Sequence, residues 1–420
     1  MAIVPNHRVI PTPHGDLRLP AFLPDATRGV VRGLDARDVE GCGIPALVVN
    51  AYHLLKRPGS TTIAALGGIH KVMDWSRPVL TDSGGFQIFS LIRQNPKLGT
   101  ITNKHAMFRV AGERKTERLS PEKSIQVQLR LGADILICLD DCTHPDDPKT
   151  EQAVSVERTI AWARRCKDEF DRGLAAREGK SGRRDKRQAR SSEGGSFALS
   201  RETVTDHAGE KGPTKAGATG VSVSRETETR RPVLFAVVQG GNDPDLRRRC
   251  AEELVALDLD GYCFGGWPFD SQGRFLADTL ALTARLLPDD KPKYAMGIGN
   301  PASLVACARM GYALFDCALP TRDARRGRLY TFRSASPHDL AFDRVYIRDA
   351  THHRDTSPVS TACDCLCCRH YSRAYLHHLF AVGDSLAWRL ATIHNLRFYS
   401  ALMQRLGRPP EAQPTEAPRD

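Results

Sequence analysis

Side chains that can carry acid–base chemistry follow short apolar runs at several points of the chain. Asp82, Asp140 and Asp316 each stand at the end of such a run. A carboxylate can act as nucleophile, general base or, when protonated, general acid, and glycosyl-transferring enzymes use two on one sugar. Any one of these residues is more simply interpreted as a helix or turn cap. Several of them in equivalent positions favour a shared site.

A second group of residues has the chemistry of a metal site. Cys363-x-Cys365-x-x-Cys368 offers three thiolates, and His394 adds an imidazole from a following helical segment. Zn²⁺ favours four such ligands in a tetrahedron, and closed sets of three cysteines and one histidine are usually structural. We therefore expect one structural zinc ion per chain. Reduced, unligated thiols or a disulfide are the alternatives, and the rival ligands by residue type are Cys367, His370, His377 and His378.

Eight apolar runs predict the strands that position the aspartates. Segments with helical signatures separate most of them, which indicates parallel βαβ units, and eight units favour an α/β protein with a closed (β/α)₈ barrel. Six of the runs end in polar or glycine-rich residues, and in such a barrel the strand ends meet at one catalytic mouth. The predicted strands occupy residues 20–24, 46–52, 78–83, 134–140, 233–240, 261–265, 293–299 and 312–320.

Helix signals lie between these runs. Ser120 followed by Pro121 is typical of a helix start, and Asn300 followed by Pro301 repeats the signal. Apolar residues at helical spacing predict further helices over residues 243–257, 271–287 and 300–310.

The overall composition narrows the class of protein. The chain has 420 residues, 41% of them hydrophobic, with a net charge of +11, and this excess raises the chance of a polyanionic partner such as nucleic acid. A run of about 18 apolar residues is absent, as is the apolar core of a secretory signal, so we expect a cytoplasmic protein without membrane contact. The eight cysteines outside the cluster are expected to be buried, reduced thiols.

Composition also divides the chain. Residues from about 173 to 231 are rich in Gly, Ser, Thr, Lys, Arg and Glu and have few large apolar side chains, so we expect a disordered insertion there. The expected organisation is a catalytic barrel over residues 1–350, interrupted by that insertion, a zinc-binding subdomain with C-terminal helices over residues 351–405, and a disordered tail over residues 406–420.

Taken together, the motifs resemble those of tRNA-guanine transglycosylases (queuine tRNA-ribosyltransferases) of the bacterial type. The resemblance runs in order from about residue 9 to 403. Its segments are TDSGGFQ at 81–87, DDCT at 140–143, VVQGG at 237–241, GG at 265–266, MGIG at 296–299, FDCALPTR at 315–322, and the CxCxxC cluster followed by SRAYLHHL at 372–379. The family fold is a (β/α)₈ barrel with a zinc-binding subdomain inserted near the C-terminus, which agrees with the strand count.

The resemblance implies an activity. The family exchanges guanine at the wobble position of tRNAs with a GUN anticodon for a 7-deazaguanine precursor of queuosine, through a covalent aspartyl-ribosyl intermediate. It implies Asp316 as the nucleophile and Asp82 as the general acid/base. It further implies base-binding roles for Asp140, Gln239, Gly266 and Met296, RNA contacts for Arg322 and Arg325, zinc ligation by Cys363, Cys365, Cys368 and His394, and a homodimer.

Elementary chemistry agrees with the implied roles. A carboxylate can trap the sugar centre covalently as the base leaves, and retaining enzymes place their two carboxyls about 5–5.5 Å apart, which we predict for Asp82 and Asp316. Asp140 suits guanine because a carboxylate accepts two N–H groups from one base edge. The target base must leave its stack to enter such a pocket.

The chain departs from the family pattern in two places, the insertion at about residues 173–231 and the loop after Gly266. Gly266 is followed by Trp267-Pro268-Phe269-Asp270, where the family has Leu and a small apolar run ending in Gly-Glu. That loop borders the 7-position of the base, so Trp267 and Phe269 can remodel the pocket there. Cys142 beside the aspartates favours 7-aminomethyl-7-deazaguanine as the incoming base.

Three other functions are compatible with parts of this pattern. An archaeal relative that acts on the D-loop would carry additional C-terminal RNA-binding domains. A non-catalytic RNA-binding partner subunit would lack the nucleophile, yet both Asp82 and Asp316 are present. A barrel glycoside hydrolase explains the aspartates but neither the cysteine cluster nor the basic charge.

Overall fold

The computed structural model describes residues 9–109, 116–144, 146–192 and 230–408, with the backbone alone for residues 178–192. Fifteen strands lie within this part of the chain. They are β1 (Val9–Thr12), β2 (Gly15–Arg18), β3 (Ala21–Pro24), β4 (Leu47–Asn50), β5 (Val79–Asp82), β6 (Gly99–Ile101), β7 (Ala106–Phe108), β8 (Glu117–Leu119), β9 (Ile135–Ile137), β10 (Val233–Val238), β11 (Gly261–Phe264), β12 (Lys293–Ala295), β13 (Leu314–Cys317), β14 (Arg328–Phe332) and β15 (Phe342–Tyr346).

Fourteen α-helices and two short 3₁₀ segments, Pro96–Leu98 and Ala350–His352, accompany the strands in the described residues. The helices are α1 (Ala36–Gly41), α2 (Ala51–Lys56), α3 (Ser60–Ala65), α4 (Ile69–Met73), α5 (Gly85–Gln94), α6 (Pro121–Leu131), α7 (Lys149–Ser192), α8 (Pro244–Val255), α9 (Ala277–Leu286), α10 (Pro301–Arg309), α11 (Leu319–Arg325), α12 (Leu366–His370), α13 (Arg373–Val382) and α14 (Ser385–Leu406). No described helix is long and apolar enough to cross a membrane.

A parallel eight-stranded barrel forms the centre of the molecule. Its strand order is β3-β13-β12-β11-β10-β9-β5-β4, and a parallel bridge between Asp25 and Val48 joins the two ends. The barrel strands read as continuous apolar runs because helices cover the outside and side chains fill the inside, so both faces are buried; all six residues of β10 are buried. The predicted (β/α)₈ fold and all eight predicted strand positions are confirmed.

Proline and capping residues start the helices around the barrel as the sequence predicts. The Ser120 side chain accepts the amide of Lys123 at the start of α6, and Asn300 accepts the amide of Ala302 at the start of α10. Each of these caps satisfies an amide that has no partner inside its helix.

One predicted helix start is wrong. Helix α9 begins at Ala277 rather than at residue 271. Gly273 has a φ of +77°, and Phe269 pairs with Phe275 in an antiparallel bridge, so the chain turns back on itself before the helix begins.

Small antiparallel sheets lie outside the barrel and were not predicted. β1 and β2 form a hairpin, β6, β7 and β8 form a three-stranded sheet, and β14 pairs with β15. All seven of these strands have three to five residues, which is too short for a period-two pattern to stand out. Helix α14 packs against β14, α11 and β3, so the C-terminal helices are joined directly to the barrel.

The expected insertion and tail lie partly outside the described residues. Helix α7 continues to Ser192, so the first part of the segment expected to be disordered from about residue 173 is helical. Residues 193–229 and 409–420 are not among those described.

Candidate active site

Asp82 is held at the carboxyl end of β5 by three hydrogen bonds. Asn50, its partner in the register of β4 and β5, donates from Nδ2 to Oδ2 at 2.6 Å. The amides of Ala51 and Gly84 donate to Oδ1 at 3.3 and 3.2 Å. The chain turns into α5 directly afterwards at Gly84, whose φ is +76°, and an ideal Cβ there would lie 2.8 Å from Cβ of Tyr52. The close packing of Gly84 thus fixes the position of the carboxylate.

Asp316 occupies the equivalent end of β13. The amide of Gly297 donates to its Oδ1 at 2.8 Å, and the phenol of Tyr294 donates to the carboxylate as well. Tyr294 lies on the neighbouring strand β12 and is 1% exposed, so its hydroxyl is fixed beneath the barrel mouth. Two donors, one in β12 and one in the turn that follows it, orient Asp316.

The two carboxylates lie at the same end of the barrel. The charge of Asp316 is one cause of the raised pKa of Asp82, and the pKa of the Tyr294 phenol is raised by both carboxylates as well as by burial. The charge of one group acts on the pKa of another at short range, so Asp82 and Asp316 lie near each other at the carboxyl ends of β5 and β13. Their predicted separation of about 5–5.5 Å stays a prediction.

Desolvation sets the protonation of this pair. It is the largest cause of the raised pKa of Asp82, which reaches about 7 despite the opposing hydrogen bond from Asn50. The pKa of Asp316 is raised too, first by desolvation, while the bonds from Gly297 and Tyr294 lower it. A carboxyl group with a pKa near neutrality can both give and accept a proton, which is what acid–base catalysis needs.

A buried polar pair lies at the ends of the neighbouring strands β9 and β10. Gln239 donates from Nε2 to Oδ2 of Asp140 at 2.7 Å, and the two residues are 0% and 9% exposed. Burial raises the pKa of Asp140 to about 7, whereas the bond from Gln239 lowers it. The Oε1 atom of Gln239 has no hydrogen-bond partner within the described residues. The pair therefore offers unused acceptors to a planar polar ligand.

Glycines leave room for that ligand. A Cβ on Gly265 would lie 2.6 Å from Nε2 of Gln239, so no other residue fits there beside the amide. Gly266 has a φ of +93°, a left-handed conformation that favours glycine. Met296 is half-buried and precedes Gly297, the donor to Asp316. The structure thus brings the base-binding candidates and both catalytic candidates to one mouth.

The Cys363, Cys365, Cys368 and His394 side chains form a compact cluster whose ligand atoms all lie within 4.8 Å of one another. The sulfurs of Cys368 and Cys365 lie 3.2 and 3.7 Å from Nδ1 of His394. Its Nε2 lies 2.8 Å from the carbonyl of Tyr330, which fixes the ring with Nδ1 toward the thiols. The donor set and this orientation fit a metal ion.

Comparison with known proteins identifies the family. The family model described as Queuine tRNA-ribosyltransferase matches residues 8–233 and 218–408. The chain belongs to the queuine tRNA-ribosyltransferase family.

Relatives of similar length support this membership. The chain is 38% identical over 395 residues to the queuine tRNA-ribosyltransferase of Desulfosudis oleivorans, covering 93% of this chain and 85% of the relative. It is 35% identical over 389 residues to that of Novosphingobium aromaticivorans, with 93% and 87% covered. It is also 35% identical over 399 residues to that of Thermoanaerobacter pseudethanolicus, with 95% and 88% covered. The resemblance read from the motifs is therefore confirmed.

The two predicted RNA-binding arginines of this ribosyltransferase lie on α11, directly after Asp316 and β13. Arg322 is exposed, and Arg325 is half-buried with its Nη1 unpartnered among the described residues. Burial lowers the pKa of Arg325, and the charges of Arg32, Arg322 and Arg326 lower it further. The cluster therefore has a surplus of positive charge beside the mouth.

The altered loop of this family member forms an aromatic rim. Trp267 is 42% exposed, and its ring centroid lies 5.6 Å from that of Phe86 and 5.5 Å from that of His144. These three residues and Cys142 line a cavity of about 220 Å³. The loop departure thus gives this cavity an aromatic wall and leaves the pair Asp140 and Gln239 unchanged.

Two residues that orient the ribosyltransferase carboxylates were missed in the sequence. Asn50 ends an apolar strand as Asp82 does, so its position was an available signal. Tyr294 lies inside an apolar run, where a phenol is usually core, and only the pairing of β12 with β13 brings it to Asp316.

Proposed function

We propose that this protein is a tRNA-guanine transglycosylase that replaces guanine at the wobble position of tRNAs with a GUN anticodon by a 7-deazaguanine. Membership of the family supports base exchange on tRNA. The observation that carries the finer proposal is that Asp82 and Asp316 lie at the same end of the barrel, together with the buried, hydrogen-bonded pair Asp140 and Gln239.

In the proposed first step, Asp316 attacks the anomeric carbon of the ribose. A bond forms between its carboxylate oxygen and C1′ as the bond from C1′ to N9 of guanine breaks, and Asp82 gives its proton to the departing base. The amide of Gly297 and the phenol of Tyr294 hold Asp316 in line. A covalent aspartyl-ribosyl intermediate divides one difficult displacement into two easier ones.

The proposed second step reverses the first with another base. Asp82, now ionised, takes the N9 proton of the incoming 7-deazaguanine, whose nitrogen attacks C1′ and releases Asp316. Two inversions give net retention at the sugar. The pKa of Asp82 near 7 suits a group that must be protonated in one step and ionised in the other.

Asp140, Gln239, Gly266 and Met296 form the proposed base pocket. Asp140 accepts the N1 and N2 hydrogens of the base, and the amide groups of Gln239 and Gly266 complete the polar edge. Met296 packs against the base face. The unpartnered Oε1 of Gln239 supports this role because a buried amide oxygen normally has a partner.

The proposed incoming base is 7-aminomethyl-7-deazaguanine. In this proposal the 7-position is directed toward the cavity that Cys142 and Trp267 line. A small cationic substituent can lie there against aromatic faces.

The anticodon reaches the mouth with its wobble nucleoside flipped out. Arg322 and Arg325 bind the adjacent phosphates in this proposal, and the surplus charge on α11 favours such contacts.

The cysteine cluster holds one structural Zn²⁺ per chain in this proposal. When bound, zinc ties the loop of Cys363 and Cys365 to α14 through His394, and it takes no part in the reaction. Cys367 is 0% exposed and packs in the core, which supports its exclusion from the ligand set. We retain the division into a barrel over residues 1–350 and a zinc subdomain over residues 351–405.

We further propose a homodimer, which light scattering at micromolar concentration tests directly. A mass of one chain would refute it.

The alternative function is that of a non-catalytic RNA-binding subunit. Such a protein would bind tRNA without exchanging bases.

Labelled guanine and unmodified tRNA distinguish these functions. Incorporation of label into tRNA is expected for the transglycosylase, and mass spectrometry of the tRNA after reaction with candidate 7-deazaguanines identifies the incoming base. Binding without incorporation indicates the partner subunit. If the protein neither binds tRNA nor incorporates label, a glycoside hydrolase is the function that remains.

A further inference from the structure

Arg247 is a buried cation that the proposed chemistry does not use. It lies in α8 and is 1% exposed. No described carboxylate forms an ion pair with it, and its hydrogen-bond acceptors are neutral. A buried charge without a counterion lowers stability, so its presence points to a role other than stabilising the fold.

Its guanidinium joins two loops. Nη1 donates to the carbonyl of Val238 at 2.7 Å and Nε to that of Gly241 at 2.8 Å, both at the end of β10. Nη2 donates to the carbonyl of Gly265 at 2.9 Å, at the end of β11. The same group lies 4.5 Å from the ring centroid of Phe264, which limits its movement from that side.

Those carbonyls flank the base pocket. Val238 immediately precedes Gln239, and Gly265 immediately precedes Gly266. A Cβ on Gly266 would lie 3.4 Å from Nη2 of Arg247 and 3.6 Å from Oε1 of Gln239, so the three residues meet at one point. A peptide plane whose carbonyl is fixed also has its next N–H fixed. Arg247 therefore determines where the amide of Gly266 points.

We infer that Arg247 is a positioning residue for base recognition, which holds Gln239 and the amide of Gly266 in register with each other. The inference rests on the proposed function of that pocket. Arginine suits the task because its planar group has five donors in a fixed fork, whereas the single ammonium of lysine cannot span three carbonyls on two loops.

Arg247 stays protonated at neutral pH. Burial lowers the pKa of Arg247 to about 10, and the nearby Tyr312, Cys250 and Cys142 raise it. All its donors are thus present at neutral pH.

The test compares Arg247→Met and Arg247→Lys with the control Arg248→Met, which removes an exposed arginine from the same helix. Steady-state exchange of labelled guanine into tRNA gives KM for each substrate. Both Arg247 variants should raise KM for guanine by about 10- to 100-fold, the range for lost hydrogen-bond geometry, with KM for tRNA nearly unchanged. The control should match the wild type.

A double-mutant cycle makes the test specific. In a Gln239→Ala background, Arg247→Lys should raise KM for guanine by a smaller factor than in the wild type, because one of the two groups it positions is already absent. Equal factors in both backgrounds, or a lower melting temperature with unchanged KM for guanine, would overturn the inference. If Arg247→Met does not fold, Arg247→Lys decides alone. If the wild type exchanges no guanine, the proposed function fails instead.

Discussion

Asp82, Asp140 and Asp316 at the barrel mouth have their pKa raised by desolvation, and the pKa values of Asp82 and Asp140 reach about 7. Burial penalises the ionised form of Asp82 and Asp140 more than their hydrogen bonds favour it. These buried carboxyl groups therefore destabilise the folded protein at the positions where proton transfer and base recognition are proposed.

Asp140→Asn should stabilise the protein above neutral pH. The folded pKa of Asp140, about 7, exceeds its usual 3.8, so the folded state holds its proton longer and wild-type stability falls as pH rises from about 4 to 7. An amide avoids that loss and can still accept from Gln239. Thermal unfolding should show a gain at pH 8, up to about 4 kcal/mol, that vanishes near pH 4. Asp278→Asn, which changes an exposed carboxyl group to its amide, is the control.

Asp82→Asn should reduce kcat for guanine exchange by about 10²- to 10⁴-fold, the usual contribution of a general acid, with little change in KM for tRNA. In the wild type, single-turnover release of guanine should slow above about pH 7, where Asp82 loses its proton. A variant that retained the wild-type rate would exclude Asp82 from proton transfer.

The barrel strands and most helices around them could be predicted because apolar runs and Pro-capped helix starts are local signals. The start of α9 could not be predicted, since the turn before this helix depends on the pairing of Phe269 with Phe275. Within the site, the aspartates were visible as strand ends. Tyr294 and Arg247 were not visible as site residues in the sequence, because each looks like an ordinary residue of a strand or a helix. Only the packing of the neighbouring strands brings their side chains to the site.

The loop after β11 should set specificity at the 7-position. Trp267→Leu removes a ring that contacts Phe86 and His144, so it should lower KM for 7-deazaguanines with bulky substituents. KM for guanine should change little because Asp140 and Gln239, the proposed base-binding pair, are unchanged. Trp388→Leu, an exposed tryptophan on α14, is the control. Equal effects on guanine and on substituted bases would argue against a role in selectivity.

The cysteine cluster should tie the C-terminal helices together through zinc. Metal analysis should find about one zinc per chain, as the four-ligand set requires. Cys365→Ala should lose it and lower the melting temperature, whereas the neighbouring Cys367→Ala should keep the metal. Zinc retained in Cys365→Ala would show that the ligand set is wrong.

Across the whole molecule, an ion cluster joins the N-terminal hairpin to the barrel at the end opposite the mouth. Asp134, 0% exposed, precedes β9 and lies 2.7 Å from Nδ1 of His14 and 3.0 Å from Nε2 of His70. The two imidazoles stack at 3.5 Å. The amide of Val79 also donates to Asp134, at 2.8 Å. The hairpin that carries His14 is thereby fixed to the barrel.

This cluster predicts a pH window for stability. Its bond to Asp134 raises the pKa of His14, while the bonds from His14 and His70 lower that of Asp134 against the opposing effect of burial. The interaction is fully present from about pH 4 to 6.5 and is lost as pH rises through the folded pKa of His14 or falls through that of Asp134. His14→Ala should therefore lower the melting temperature more at pH 6 than at pH 9. The reverse order would contradict this account.

The most direct measurement for the whole account is mass spectrometry of the adduct formed when the protein is mixed with tRNA and denatured before the second base is added. Peptide mapping should place the ribosyl group on Asp316, with no adduct and no exchange in Asp316→Asn. An adduct on Asp82, or normal exchange by Asp316→Asn, would contradict it.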